Sequence, residues 1–318
     1  MFAATGTDLT HLARDGDGFV AEKRLEGTGV QCVAVAPADT PSVYAGCRGG
    51  GLWVSHDAGR RFERSRLPEE DVFSVAVSAA DGAVYAGCEP SRLYVSRDRG
   101  ESWEELSALR EIPSAPDWSF PPRPWTSHVR WIAPCPDDSD LLLVGIELGG
   151  VMRTDDAGES FSDHPPGAVR DVHSLAWHPR EAGRAYEAGG GGAAWSVDWG
   201  QTWQAADEGR DRDYVWALAV DPEDPGRWFV SASPGPFQAH GAGSAEAFIY
   251  RFEGKAWRAL RGGLPQPLDS LPYALRIEDG LLYAGLGDGR LYESGDGGDS
   301  WRGVTIAGAS PERIVALA

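Results

Sequence analysis

The sequence has no run approaching the ~20 continuous apolar residues that a helix needs to cross a bilayer, so a helical membrane span is excluded. Basic charge is scarce: 29 Lys and Arg stand against 48 Asp and Glu, a formal net charge of −19. A polyphosphate would be repelled at long range unless a local basic patch intervened, and none stands out, so neither nucleic acid nor a membrane is an expected partner. Cysteine is sparse too. Cys32, Cys47, Cys88 and Cys135 show no CxxC spacing and sit in strand-like runs, which predicts buried free thiols rather than disulfides or a metal site. Residues 1–6 already read as a repeat strand, leaving no basic start or apolar leader, and the cytoplasm is the expected compartment. Helical periods are few. What is abundant is turn punctuation, 41 Gly and 22 Pro, around a 42% hydrophobic complement with 13 Trp.

One eight-residue phrase recurs. SHDAGRRF (55–62), SRDRGESW (96–103), TDDAGESF (154–161), SVDWGQTW (196–203) and SGDGGDSW (294–301) share the pattern Ser/Thr-x-Asp-x-Gly-x-x-Trp/Phe. A worn copy lies around Asp15-Gly16, and another, Tyr250 to Trp257, keeps the Gly and Trp but has Phe where Asp belongs. Between phrases run short alternating segments bounded by Gly, Asp or Pro, the mark of meandering hairpins. A repeat of about 40 residues with four such strands describes a propeller blade. The first strand of the unit can be followed seven times: 29–35, 71–77, 128–134, 171–177, 214–220, 271–277 and 311–317. Residues 1–25 supply only second, third and fourth strands, while 311–318 supply only a first strand. The expectation is therefore an all-β, seven-bladed propeller of four-stranded antiparallel blades, residues 1–318 forming one domain. The C-terminal strand closes the ring by joining the N-terminal blade, which removes two exposed sheet edges.

Within the phrase, Asp accepts backbone N–H bonds in a tight turn, Gly supplies positive φ, and the aromatic packs between blades. The phrase resembles the Asp-box, or BNR repeat, of sialidases, xyloglucanases, sortilin-type receptors and photosystem II assembly factors, and the resemblance covers nearly the whole chain. In those families the box lies opposite the active centre. The resemblance therefore implies that Asp57, Asp98, Asp156, Asp198 and Asp296 are structural, and it implies a fold, since hydrolases, receptors and assembly factors all carry the motif.

Chemistry is expected on the other face, at the top of the central channel. Two insertions fall there, 111–127 (EIPSAPDWSFPPRPWTS) and 234–246 (PGPFQAHGAGSAE). Loops of that length and composition more often cover a binding mouth than serve packing. The third residue of the first-strand phrase varies (Gln31, Phe73, Arg130, His173, Trp216, Tyr273, Arg313), whereas the fifth is uniformly apolar (Val33, Val75, Ile132, Leu175, Leu218, Leu275, Val315). Second strands end in Arg48, Glu89 and Glu147, and the insertions add His128, Trp118, Trp125 and His240. The candidate catalytic residues are Glu147, Glu89, His173 and Arg130. The candidate ligand-binding residues are His128, Trp216, Tyr273, Arg313, Arg48, Trp118, Trp125 and His240.

Two functions fit this set. A glycoside hydrolase or lyase needs paired carboxylates about 5–9.5 Å apart and aromatic platforms, roles open to Glu89 and Glu147 with Trp118, Trp125 and Trp216. The sialidase pattern itself fits poorly, since there is no Arg-Ile-Pro before the first box and the blades number seven rather than six. The Asp pair of xyloglucanases cannot be located either. A metal-assisted variant would recruit His128, His173, His240 and Glu147, but no short ligand spacing such as HxH supports it, and no metal is assigned. No cofactor is identified. The alternative is a non-catalytic scaffold that holds a small molecule, carbohydrate among the candidates, or a protein on its top face.

Overall fold

The computed structural model describes residues 1–38, 40–120 and 126–318. Seven sheets stand in a ring. Blade 1 combines Phe2–Ala4, Leu9–Asp15 and Gly18–Arg24 with the C-terminal Ala316–Leu317 as its innermost strand. Blades 2, 3, 5, 6 and 7 span 30–64, 72–105, 172–205, 214–260 and 272–303, each a four-stranded antiparallel meander. Blade 4 has three strands between Val129 and Thr154, and a bridge between Arg153 and Ser162 stands in for its fourth. Innermost strands touch in order right round the ring, and Ala316–Leu317 contacts those of blades 7 and 2.

Closure follows expectation, with one addition. Ala3 pairs with Leu317 and Ala4 with Ala316, so the C-terminal strand is innermost in blade 1. Before reaching that place the chain lays Ile306–Gly308 parallel against the outer edge of Gly18–Arg24, making blade 1 five-stranded. The first blade is thus gripped at both edges by the C-terminal segment.

The recurrent turns fold alike. In the second copy, Asp98 Oδ1 accepts the Ser102 N–H at 2.9 Å and the Ser96 hydroxyl at 2.8 Å, while the Gly100 N–H donates to Ser96 Oγ. Asp57, Asp156, Asp198 and Asp296 repeat the pattern with their own neighbours. These bonds hold Asp98, Asp156 and Asp296 at about 2, below the usual carboxylate range. All five carboxylates are engaged in their own turns, at the end of the strands away from the channel mouth.

Blades approach closely at one column. Second strands pair with first strands through Gly46, Gly87, Gly145 and Gly285, and each glycine lies against the inner strand of the next blade. A Cβ at Gly87 would sit 2.5 Å from Val129 Cγ1, one at Gly145 2.5 Å from Val172 Cγ1, and one at Gly285 2.4 Å from Ile314 Cγ2. Gly87→Ala is therefore expected to wedge blades 3 and 4 apart. The cost is about 1–3 kcal/mol by analogy with overpacked cores, read as a lowered thermal midpoint with an unchanged circular dichroism spectrum.

All four cysteines are free, Cys32 half-buried and the rest buried. Among the described residues no helix is long and apolar enough to cross a membrane.

Candidate functional site

The variable third position of the first strands has a structural cause. In blades 2, 3, 4, 5 and 7 the register with the second strand slips by one residue, and the extra residues are Gln31, Phe73, Arg130, His173 and Tyr273. In blade 6 the slip spans Trp216 and Ala217. A β-bulge leaves one residue unpaired and re-aims its side chain, here toward the channel axis. The bulge also lets these side chains latch neighbouring blades: Gln31 Nε2 donates to the Val72 carbonyl at 2.9 Å, and His173 Nδ1 to that of Val215 at 2.6 Å.

Around the axis these residues form an acidic and imidazole half and an aromatic half. His128 stacks on Phe73 at 4.0 Å and meets Phe120 edge-on. Its Nε2 donates to Glu147 Oε2 at 2.6 Å, and its Nδ1 lies 3.5 Å from Glu89 Oε2. Arg130 Nε lies 3.6 Å from the same Glu147 oxygen, and its guanidinium covers the Trp216 ring at 4.7 Å, reaching from blade 4 to blade 6. Burial alone would raise the Glu147 carboxyl, but the His128 hydrogen bond and the charge of Arg130 outweigh it and hold it at about 2. The contact with His128 likewise lowers Glu89, which also accepts from Thr126 Oγ1 at 3.2 Å.

On the aromatic side, His240 bridges two phenols. Its Nε2 shares a hydrogen bond with Tyr214 Oη at 2.8 Å and its Nδ1 another with Tyr273 Oη at 2.7 Å. Lost hydration, then the neighbouring His173, Arg130 and Arg313, drop the His240 imidazole to about 4. His240 ends the short helix Pro236–His240, so this bridge ties the second insertion to the mouth. Trp216 meets both His240 and Tyr273 edge-on. Outside this layer, Arg48 lies over Phe73 and Arg313 over Tyr273, each 5.6 Å from the ring centre.

Eleven of the twelve candidate residues are thereby described. Glu147, Glu89, His173, Arg130, His128, Trp216, Tyr273, His240, Arg48 and Arg313 surround the mouth. Trp118 does not join them as a platform: it is 7% exposed, packed into the apolar core of its blade, with its indole N–H donated to Ser114 Oγ. Short 3₁₀ turns just before and within the first insertion, Ser107–Arg110 and Ala115–Asp117, fold that ring inward. Trp125 lies outside the described residues. The channel top is filled rather than hollow, since His128, His173 and Glu147 are only 1%, 1% and 6% exposed. Two surface clefts, of about 430 and 390 Å³, lie away from the mouth, the larger beside Asp57 and Gly100.

Sequence reasoning missed Asp171 and Tyr214. Asp171 opens the blade 5 phrase as Asp71 opens that of blade 3, and its carboxylate stands 3.5 Å from His173 Nε2. A column of first residues would have flagged it.

No protein-family model matches the sequence, and no curated protein does. Solved structures do. The GH74 xyloglucanase from Xanthomonas campestris aligns over 97% of this chain and 51% of its own, with TM-score 0.69 and 17% identity. An ancestral GH74 enzyme aligns over 86% of this chain and 38% of its own (TM-score 0.64, 18% identity). YCF48 bound to D1 peptide aligns over 96% of this chain and 87% of its own (TM-score 0.62, 16% identity). The likeness is one of fold. This chain spans about half the length of the xyloglucanase and less of the ancestral enzyme, but most of YCF48.

Proposed function

We propose that this propeller is a non-catalytic binding scaffold whose channel mouth holds a carboxylate-bearing peptide segment. The observation that carries this is the set of arginines laid on aromatic rings: Arg48 on Phe73, Arg130 on Trp216 and Arg313 on Tyr273. Arg48 and Arg313 are exposed and have no ion pair among the described residues, in a chain whose net charge is −19. A ring beneath a guanidinium holds it in place while leaving its N–H edge free for a forked carboxylate. The likeness to YCF48, solved with a peptide and matched over most of its length, agrees with this reading.

Glycoside hydrolysis, which the GH74 neighbours bring to mind, is the second reading. It needs a carboxylic acid kept protonated near neutral pH beside an ionised partner. Glu147 and Glu89 are both lowered, and both lean on the one His128 imidazole, so neither is poised to donate a proton.

Fluorescence polarisation with labelled acidic, neutral and basic peptides of equal length tests the proposal. Acidic peptides should bind, and Arg48→Ala and Arg313→Ala should each weaken them by roughly tenfold or more, the value of a charge-assisted hydrogen bond, with unfolding unchanged. Equal binding by the double variant would overturn the scaffold proposal. So would turnover of xyloglucan or aryl glycosides that Glu147→Gln abolishes.

A further inference from the structure

We propose that Glu147, Asp171 and His173 form a binding site for a divalent transition metal at the acidic side of the channel mouth. Their ligand atoms all lie within 4.8 Å of one another, although they come from the end of a strand in blade 4 and the start of one in blade 5.

The decisive group is His173. Its side chain is fully buried, and its Nε2 has no hydrogen-bond partner. Its Nδ1 is 2.6 Å from the Val215 carbonyl, and a carbonyl only accepts, so the hydrogen resides on Nδ1. In the tautomer with that single hydrogen the Nε2 lone pair faces two carboxylates, and a cation between them would satisfy all three groups. The Nε2 to Asp171 Oδ1 separation is 3.5 Å, long for a hydrogen bond. It is close to the roughly 3.4 Å expected between two ligands of one tetrahedral ion with bonds of about 2.1 Å.

The surroundings have the form of a metal site's outer layer. Metal-bound histidines characteristically donate their second N–H to a backbone carbonyl, and ligating carboxylates are themselves hydrogen-bonded. Val215 fills the first role and His128, donating to Glu147 Oε2 at 2.6 Å, the second. Trp216 at 4.3 Å and Tyr214 at 4.9 Å fix the His173 ring. Asp171 occupies space that any side chain at position 190 would need, because a Cβ there would fall 1.9 Å from its Oδ2. The GGGG stretch at 189–192 thus makes room for this carboxylate.

Among the described residues Arg130, 3.6 Å from Glu147, opposes a cation. Asp171 and Glu89 offset it together with Glu147. One imidazole nitrogen with two carboxylates suits Zn²⁺, Co²⁺ or Mn²⁺, whereas Mg²⁺ and Ca²⁺ favour all-oxygen sets. Three protein ligands leave a position open on the side of Asp171, the half-buried member of the three. The site stands on residues other than the peripheral arginines and does not depend on the peptide proposal.

The test titrates chelator-treated protein with ZnCl₂ by calorimetry and with CoCl₂ by visible absorption. One equivalent should bind, with the absorption of a low-symmetry cobalt site. Asp171→Asn, nearly isosteric, should weaken binding at least about 100-fold, the upper range for losing even an outer-layer partner. His178→Ala, at the far end of the same strand, should not. Gly190→Ala alters no ligand atom but displaces Asp171, and should weaken binding in the same direction. Should Asp171→Asn fail to fold, Glu147→Gln replaces it. Absence of stoichiometric binding, or wild-type affinity in Asp171→Asn and Gly190→Ala, would overturn the site.

Discussion

Glu187→Gln is expected to stabilise the protein by about 3 kcal/mol at pH 7, raising the thermal midpoint by about 5–10 °C. Glu187 is 0% exposed, in the second strand of blade 5. Its Oε2 accepts the Val169 N–H at 2.9 Å, and its Oε1 has no hydrogen-bond partner. Burial raises this carboxyl from 4.5 to about 8. The folded state therefore keeps a proton that the unfolded chain releases above pH 4.5. Stability from this group is fully present below about pH 4.5 and is lost as pH rises through about 8, because the folded form binds more protons across that window. Glutamine keeps the acceptor for Val169 and has no proton to lose, so the variant should lack this downward slope. Urea unfolding of both proteins at pH 5, 6, 7 and 8 measures it. Parallel stability curves would show that Glu187 is ionised in the folded state or solvated there.

Glu187 also shows where the sequence is readable and where it is not. The ring was legible because each blade must solve the same problem: Ser, Asp and Gly close one hairpin, and a glycine lets the next blade approach. The mouth column was legible because a bulge recurs at one place and frees that side chain from core duty. Yet the partner of the fifth position, Ala45, Ala86, Val144, Val230 and Ala284 in other blades, is Glu187 in blade 5. A carboxylate in that apolar column is visible only once strand register is known. Trp118 misled for the converse reason. A Pro-rich insertion suggested an open loop, but two 3₁₀ turns fold the ring into the blade core. The joining of Glu147 and Asp171 depends on how neighbouring blades meet, which no local pattern records. The outer strand Ile306–Gly308 carries no repeat signature, since it pairs parallel outside the meander.

Deleting residues 311–318 is expected to abolish the cooperative unfolding transition near room temperature. This segment places Ile314, 0% exposed, against Gly285 and the core shared by blades 7 and 1. Its backbone gives and receives the bonds that hold the inner strand of blade 1: Phe2 N to Ala318 O at 2.6 Å, Ala318 N to Phe2 O at 2.9 Å, and Val315 N to Ala4 O at 2.8 Å, with Ile314 N to Leu286 O at 2.9 Å joining blade 7. Burying one Ile contributes about 2 kcal/mol and each net backbone bond about 1, so the loss is on the order of 5 kcal/mol, comparable to the whole stability of many domains. The deletion also bares Phe2–Ala4 as an inner edge, a template for pairing with a second copy. Ile306–Gly308 remains on the outer edge but makes no contact across the inner gap, so it cannot substitute. Differential scanning calorimetry should show no sharp transition and light scattering should show self-association, while a synthetic peptide of residues 309–318 should restore both monomer and transition. A shortened chain that melts within about 4 °C of the full one, a shift worth only 1–2 kcal/mol, would mean the inner strand adds little to closure.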